Sequence, residues 1–446
     1  MKIQPKLGMF DLTMIIISLV IGIGIFKTPS IVAQKAGSPF VFYVAWLIGG
    51  IVSILGALTF SEIGARLPVA GGFYKIFSYC YHPAFAFMIN WSQLTARAGS
   101  AAAIALVGAE YIKPVLLSAD MQTDLASKII ALAVIIILFM LNYAGMKMSS
   151  RVQNILSGIK ILLILLFCMA VFGTKSATIA NVPFVQSDTN QLKALGLALI
   201  PVFYTWNGYQ YTINFGADIR KPQRNIPRSI FFGISLILVL YIIINIAYCQ
   251  VLGFENLKGQ KLIAAELSRS FFGEAGYKIT SIVIFISVIG FINTSFMSNP
   301  RVYYAMAEDK ILPSAFKQVN AKTQVQEFAL SFFFVLMLLC LFFLDTFEKI
   351  LNYIIFIDCL ALGFGAATIF ILRRKMVNLN YTGFTVNPRS IVPVLFILFL
   401  VFVCISVFIS DPGAAVAGTV LLILGFPLYH LIRKLCNVPI DKTITS

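Results

Sequence analysis

The chain has 446 residues, of which 59% are hydrophobic and only 12% are charged, and its formal net charge is +16. A water-soluble globule of this length does not carry so apolar a composition, so the sequence predicts an integral membrane protein. The basic charge does not indicate a nucleic-acid partner, because its placement along the chain follows membrane topology, as shown below.

Twelve apolar segments are long enough to cross a bilayer. In chain order they cover residues 10–36, 40–66, 83–112, 126–145, 152–173, 192–217, 227–252, 277–305, 327–344, 349–372, 391–410 and 413–432. The connections between them are too short for a soluble domain. Residues 1–446 are therefore predicted to form a single transmembrane domain.

Lysine and arginine are distributed unequally between the two sets of loops. With the N-terminus placed in the cytoplasm, the cytoplasmic segments hold 21 of these residues and the external segments hold 10. This bias is the positive-inside rule. It predicts a multi-pass protein of the cytoplasmic membrane with both termini in the cytoplasm, whose basic loops contact anionic lipid.

The first segment contains the stretch "SLVIGIGIFKTPSIV", residues 18–32. Two glycines followed by a proline predict that the helix is interrupted between Gly22 and Phe26. Thr28 is expected to cap the second half of the helix, with Pro29 at its first position. The free N–H groups of such a break favour an anion, and its free carbonyls favour a cation.

The sixth segment is interrupted at "FYTWNGYQY", residues 203–211, where Asn207 and Gly208 break the apolar run. The two breaks begin two successive groups of five segments. This predicts an all-α fold of 12 transmembrane helices with a 5+5 inverted repeat, about 8–175 and about 190–375, and two added helices at about 390–435. Two breaks that offer groups for an anion and for a cation suit an amino acid zwitterion. The structural alternative is that the breaks are only kinks packed against neighbouring helices.

Charged residues within the apolar segments are costly and therefore candidates for function. Lys160 lies near the middle of segment 5, where its ammonium can replace a bound monovalent cation; the alternative is a structural ion pair with Asp358. For Arg97, Glu110 and Asp358 the structural interpretation is favoured.

Enzymatic chemistry is not indicated. The seven cysteines are scattered singly and the two histidines are far apart, so neither a disulfide framework nor a metal site is predicted. No nucleophile with its base is found within the spans. We expect no cofactor and no metal.

Four motifs carry a resemblance to a known family. They are "IGIGIFKTP", "FSEIGARLPVAGGFY" (60–74), "IRKPQRNIPRSI" (219–230) and "RVYYAMAEDKILP" (301–313). In these motifs the chain resembles the amino acid, polyamine and organocation (APC) superfamily, and within it the L-type amino acid transporter branch with its bacterial exchangers. The resemblance implies secondary active transport of amino acids by sodium-independent exchange of neutral L-amino acids; a proton-coupled symporter or a polyamine carrier is the alternative.

The resemblance also implies a substrate site. The carboxylate would bind the backbone of Gly22, Ile23, Gly24 and Ile25, and the ammonium would bind carbonyls around Tyr204, Thr205, Trp206 and Asn207, with Gly208 in the same break. Tyr204 would close over the substrate, and Lys160 would take the place of sodium. Gly24 is expected to leave the room that the carboxylate needs.

Three departures from the family pattern bear on this site. Phe73 replaces a glutamate, and Ala217 and Asp218 stand where an acidic pair is usual. Trp206, Asn207 and Gly208 stand where a run of small residues is usual, and this departure is expected to narrow the pocket. The loop "KPVLLSADMQTD" has no cysteine, so a heavy-chain glycoprotein partner is not expected.

Overall fold

A computed structural model of the chain describes residues 8–69, 72–145, 158, 162, 191–214, 219–323, 325–343, 347–375, 381, 383–386 and 391–435. In this part of the chain the regular structure is helical throughout, with no β-strand. Lys160, Ala217 and Asp218 lie outside the described residues, as does nearly all of predicted segment 5, 152–173.

The described part contains fourteen α-helices. They are α1 Met9–Val20, α2 Gly24–Ala36, α3 Pro39–Arg66, α4 Gly72–Cys80, α5 Pro83–Leu116, α6 Asp124–Tyr143, α7 Gln191–Trp206, α8 Pro222–Leu252, α9 Phe254–Leu257, α10 Ile263–Glu308, α11 Glu327–Phe343, α12 Phe347–Lys375, α13 Ile391–Ser410 and α14 Pro412–Leu435. Short 3-10 helices occupy Ala119–Met121, Tyr209–Asn214 and Ser314–Lys317.

Local sequence explains where several helices begin and end. The Ser38 hydroxyl accepts a hydrogen bond from the N–H of Val41 at 3.3 Å, and the ring of Pro39 starts α3 without needing an acceptor. Thr123 caps α6 in the same way. Helix α2 ends at Gly37, whose φ of 69° a residue with a side chain rarely adopts.

Eight described helices are long and apolar enough to cross a membrane. They are Pro39–Arg66, Pro83–Leu116, Asp124–Tyr143, Pro222–Leu252, Ile263–Glu308, Asn352–Lys375, Ile391–Ser410 and Pro412–Lys434. Three more predicted spans correspond to shorter apolar elements: the α1–α2 pair, α7 with 16 residues and α11 with 17 residues. The prediction of a polytopic helical membrane protein is therefore confirmed.

Helix α10 is longer than the predicted span at 277–305. It has 46 residues, but Gly273 is non-helical, with φ 62° and ψ −154°, so two helices meet there at a kink. The predicted span corresponds to the part that follows this kink.

The helices pack in a pattern that brings α2 against α7, α3 against α8, α5 against α10 and α6 against α11. Helices α5, α10 and α12 line the region in which α1 ends, α2 begins and α7 ends. One large buried apolar cluster draws side chains from nearly all of these helices, so the interruptions lie within the packed core.

Two ion clusters hold helices together near the ends of the bundle. The buried Glu62 on α3 accepts hydrogen bonds from Arg66 at 2.7 Å, from Arg373 on α12 at 2.7 and 2.9 Å, and from the N–H of Val386 at 2.7 Å. In the first turn of α2, Lys27 pairs with Glu110 on α5 at 2.8 Å. Lys27 is therefore the ion-pair partner of Glu110, in agreement with the structural role favoured for Glu110.

Candidate functional site

The first interruption spans three residues. Helix α1 ends at Val20 and α2 begins at Gly24, with a bend between them. The prediction that Thr28 caps the second half was wrong, because the N–H of Phe26 already bonds the carbonyl of Ile23 at 3.0 Å and starts the helix a turn earlier. The Thr28 hydroxyl instead bonds the carbonyl of Gly24 at 2.9 Å inside α2.

The start of α2 presents free backbone donors. Among the described residues, no acceptor bonds the N–H groups of Ile23, Gly24 and Ile25. These donors lie at the positive end of the α2 dipole, the usual environment for a bound anion. The interruption can therefore hold a carboxylate through its backbone alone.

The second interruption is a tight turn. Helix α7 ends at Trp206, and residues 207 and 208 form a turn into the 3-10 helix Tyr209–Asn214. Gly208 has a φ of 135°, and a Cβ on it would lie 2.5 Å from the carbonyl oxygen of Leu19. Only glycine fits this position, because the backbone of α1 passes directly over it.

Side-chain amides stiffen this turn. Asn207 Nδ2 donates to Asp358 Oδ2 at 2.6 Å, and Gln93 Nε2 donates to Asp358 Oδ1 at 2.9 Å. Gln210 Nε2 donates to Asn207 Oδ1, and the N–H of Gly208 donates to Gln210 Oε1 at 2.9 Å. The turn is thus tied to α5 and α12 through the Asp358 carboxylate.

The two interruptions lie against each other. The hydroxyls of Thr28 on α2 and Thr205 on α7 are 2.5 Å apart. The Tyr241 hydroxyl on α8 lies 3.1 Å from the carbonyl oxygen of Val20 and 3.4 Å from that of Thr205. One buried tyrosine therefore contacts the carbonyl ends of both α1 and α7.

A cavity of about 130 Å³ opens between the interruptions and helices α5, α10 and α12. It is lined by Leu19, Val20, Gly22, Ile23, Gly24, Ala96, Arg97, Ser100, Ile104, Tyr204, Thr205, Asn207, Gly208, Tyr211, Phe291, Thr294, Ser295, Ser298, Asn299, Ile354 and Asp358. This space suits one small solute.

Seven of the nine residues expected at the substrate site line this cavity: Gly22, Ile23, Gly24, Tyr204, Thr205, Asn207 and Gly208. Ile25 and Trp206 do not. Ile25 is fully buried in the core. The Trp206 indole packs on the Tyr241 ring, with centroids 4.9 Å apart, and contacts the glycines of α3. Of the three residues expected to narrow the pocket, Asn207 and Gly208 line the cavity and Trp206 does not.

The two glycines of the first interruption have different surroundings. A Cβ on Gly24 would lie 3.0 Å from Thr205 Cγ2 and 3.1 Å from Thr205 Cα. Gly24 therefore allows α2 and α7 to approach, rather than making room for the carboxylate as expected. A Cβ on Gly22 would meet only the carbonyl oxygen of Val20, at 4.0 Å, and lies in open space.

Several lining residues were not assigned to the substrate site from the sequence. Arg97 and Asp358 are charges within apolar segments, for which a structural role was favoured. The polar face of α10, which includes Thr294, Ser298 and Asn299, was not predicted from the sequence. Its signal is a stripe of polar residues spaced three to four apart within an apolar span, which places them on one helix face.

Tyr204 lies at the C-terminal end of α7 and lines the cavity, with its hydroxyl 3.5 Å from that of Ser100 on α5. Beneath this region, Phe73 stacks with Phe77 at 6.1 Å and contacts the Tyr211 ring at 6.3 Å. The residue that departs from the family pattern at position 73 is thus part of an aromatic cluster beside the cavity.

A membrane protein in which two interrupted helices meet at a central, solute-sized cavity has the architecture of a secondary transporter. The chain belongs to the amino acid permease family, whose sequence profile matches residues 7–428. The predicted membership of the APC superfamily and its L-type branch is thereby confirmed, and this family consists of transporters rather than enzymes.

Characterised relatives match nearly the whole chain. The serine/threonine exchanger SteT of Bacillus subtilis is 26% identical over 97% of this chain and 98% of its own length. Large neutral amino acids transporter small subunit 2 of Mus musculus is 25% identical over 96% of this chain and 81% of its own. Asc-type amino acid transporter 1 of Homo sapiens is 25% identical over 96% and 82%.

Proposed function

We propose that this protein exchanges neutral L-amino acids across the cytoplasmic membrane by alternating access and without sodium. The observation that carries the proposal is the meeting of both helix interruptions at one cavity. Free N–H groups at the start of α2 suit a carboxylate, and the carbonyl end of α7 suits an ammonium. Only a zwitterion satisfies both ends at once.

The substrate contacts follow from this arrangement. The carboxylate binds the segment Gly22–Ile25 through the N–H groups of Ile23, Gly24 and Ile25, since the N–H of Gly22 already donates to the carbonyl of Val20 at 2.8 Å. The ammonium binds carbonyls in the turn from Tyr204 to Gly208. The carbonyl of Tyr204 accepts the N–H of Asn207 at 3.2 Å, and a carbonyl oxygen can accept two hydrogen bonds. Tyr204 is proposed to close over the bound substrate.

An inverted repeat provides the mechanism by which the cavity changes sides. We propose 12 transmembrane helices in which five helices repeat in inverted orientation, followed by two more. The packing of α2 on α7, α3 on α8, α5 on α10 and α6 on α11 supports this, because each pair unites corresponding members of the two groups. Both termini are proposed to be cytoplasmic, as the lysine and arginine bias indicates.

Sodium independence rests on Lys160, which lies outside the described residues. We propose that its ammonium occupies the position of a coupling cation and links segment 5 to the first interruption. No heavy-chain partner is proposed, because the loop after α5 has no cysteine with which to attach one.

A proton-coupled symporter is a second candidate, favoured by one observation. The Asp358 carboxylate lines the cavity and is hydrogen-bonded by two neutral amides. A buried carboxylate in such surroundings can bind and release a proton. A polyamine carrier is disfavoured, since the Arg97 guanidinium lines the same cavity and offsets the attraction of the Asp358 carboxylate for a polycation.

Transport into proteoliposomes tests the proposal. Exchange predicts uptake of labelled amino acid only into vesicles preloaded with amino acid, equal in sodium and choline buffers and insensitive to a pH step. Lys160→Ala should lose most of this uptake. Strong uptake into empty vesicles under an acid-outside gradient would favour the symporter instead.

A further inference from the structure

Part of the cavity wall carries polar side chains that are not needed to bind the amino and carboxyl groups of an amino acid. Helices α5, α10 and α12 place Arg97, Asp358, Thr294, Ser295 and Ser298 along it. We infer that these side chains select an amino acid with an uncharged polar side chain, either a hydroxyl or an amide. This inference rests on the transport function proposed above and specifies the substrate class.

Arg97 supplies hydrogen-bond donors to the cavity. Its guanidinium carbon lies 4.2 Å from the centre of the Tyr211 ring, so stacking fixes the guanidinium plane. Stacking does not use the N–H groups, and among the described residues none accepts a hydrogen bond from them. These donors are therefore available to an acceptor atom of the substrate.

Asp358 supplies acceptors. Each carboxylate oxygen accepts one amide N–H, from Gln93 at 2.9 Å and from Asn207 at 2.6 Å. A carboxylate has about four lone-pair positions, so part of its capacity remains. The two amides hold the carboxylate in place at the cavity wall.

The hydroxyls of α10 also act as acceptors toward the cavity. Thr294 donates to the carbonyl of Gly290 at 2.9 Å, and Ser298 donates to that of Thr294 at 2.8 Å. Because a hydroxyl has a single proton, each oxygen can only accept from a ligand while its back-bond persists. The wall therefore combines the donors of Arg97 with several acceptors.

This combination discriminates between side-chain classes. Arg97 and Asp358 have opposite charges, so a charged side chain of either sign is attracted by one and repelled by the other, and neither sign gains a net Coulomb advantage. An apolar side chain would displace water from both groups and leave them without partners. A hydroxyl or an amide offers Arg97 an acceptor and offers Asp358 or the α10 hydroxyls a donor.

The test uses the full chain in proteoliposomes preloaded with the same unlabelled amino acid that is supplied outside in labelled form. Serine, threonine, asparagine and glutamine are compared with valine, leucine and phenylalanine, and with aspartate and lysine. We expect uptake of the best polar substrate to exceed that of every apolar one at least tenfold, with uptake of the charged ones at the level of empty vesicles.

Variants test the two residues directly. Arg97→Met keeps length but removes the donors, and Asp358→Asn keeps shape but removes the charge. Each should lower the ratio of polar to leucine uptake at least tenfold, because the removed group contacts the substrate side chain rather than its amino and carboxyl groups. Arg269→Met is the matched control for the first, because Arg269 also stacks on a tyrosine, at 4.0 Å from the Tyr277 ring, but lies away from the cavity.

Asp411→Asn is the matched control for the second variant, since Asp411 also accepts an asparagine amide, from Asn352 at 3.3 Å, outside the cavity. Preference for leucine or phenylalanine overturns the inference while leaving amino acid transport intact. An equal loss for all substrates in both variants also overturns it, because the residues would then be structural. Absence of uptake of every amino acid by folded protein overturns the transport function as well.

Discussion

The two helix interruptions are adjacent but built differently. The first, between Val20 and Gly24, contains only isoleucine and glycine and leaves backbone N–H groups without acceptors in the described structure. The second, at Asn207 and Gly208, is fixed by amide side chains that bond Asp358 and Gln210. The first thus keeps its polar groups for a ligand, whereas the second uses its side chains to hold the protein together.

This difference separates binding from architecture. Changes in the first interruption should reduce substrate binding without unfolding the protein. Changes in the second should lower stability, because the turn joins α5, α7 and α12 through one carboxylate. The variants below test that separation, beginning with the largest expected effect on transport.

Gly208→Ala should remove transport by preventing correct folding. Its Cβ would lie 2.5 Å from the Leu19 carbonyl oxygen, and alanine is strained at a φ of 135°. We expect the free energy of unfolding to fall by about 3 kcal/mol or more, because the backbone on both sides of the contact must shift. Thermal unfolding in detergent and the yield of monodisperse protein measure it. Gly363→Ala is the control, since its nearest neighbour, Leu400 Cδ1, is 4.0 Å away; equal stability of the two variants would contradict the prediction.

Gly22→Ala should weaken substrate binding while leaving thermal stability unchanged. The added methyl group enters the cavity without meeting protein atoms, and one extra carbon in a fitted pocket changes affinity roughly 10- to 200-fold. Half-saturation of exchange and the unfolding midpoint are measured on the same preparation.

Gly24→Ala is the contrasting variant, because its Cβ would lie 3.0 Å from Thr205 Cγ2. It should lower stability and transport together. If Gly22→Ala destabilises the protein as much as Gly24→Ala does, the first interruption is structural and the comparison fails.

Asn207→Ala should destabilise the protein by about 2 kcal/mol and slow transport, because it leaves Asp358 Oδ2 and the Gln210 amide without their partner. Thermal unfolding and initial rates of exchange measure the two effects. Asn256→Ala is the matched control: the side chain of this exposed asparagine bonds the carbonyl of Leu252, at 3.0 Å, and among the described residues has no further hydrogen-bond partner. An unchanged midpoint for Asn207→Ala would show that the network adds no stability.

The sequence predicted the parts of this fold that follow from local physics. Hydropathy located the spans, since a bilayer requires long apolar helices. Glycine and asparagine located both interruptions. The cap at Thr28 was wrong because a threonine inside a helix can bond its own i−4 carbonyl as readily as it caps a terminus.

The candidate site was less predictable, because it depends on how helices rotate against one another. The Trp206 indole lies away from the cavity because it packs against Gly49 and Gly50 of α3, which are far away in sequence. Likewise, whether Arg97 and Asp358 have structural roles or line a cavity depends on the packing of α5 against α12. Spacing along one helix cannot establish such contacts.

The smallest expected effect concerns the contact that joins the two interruptions. Thr28 and Thr205 each bond their own helix, at 2.9 Å to the carbonyls of Gly24 and Pro201, and lie 2.5 Å from each other. The three hydrogen bonds need three donated protons, but the two hydroxyls have only two. When the bond between α2 and α7 forms, one of the two bonds within a helix is therefore weakened. Thr28→Val should therefore lower the free energy of unfolding by only about 1 kcal/mol and reduce the rate of exchange a few-fold.

A double-mutant cycle isolates the cross-helix bond from the helix bonds. Thr28→Val, Thr205→Val and the double variant are compared by thermal unfolding. Thr59→Val is the control, because Thr59 is equally buried and its hydroxyl bonds the carbonyl of Leu55 in its own helix, at 2.8 Å. The coupling energy between positions 28 and 205 should be about 0.5–1 kcal/mol, since the double variant loses the bond only once. A coupling energy of zero would mean that the two interruptions are held together by apolar packing and by Tyr241 alone. In that case α2 and α7 would be free to move apart during transport without breaking a hydrogen bond between them.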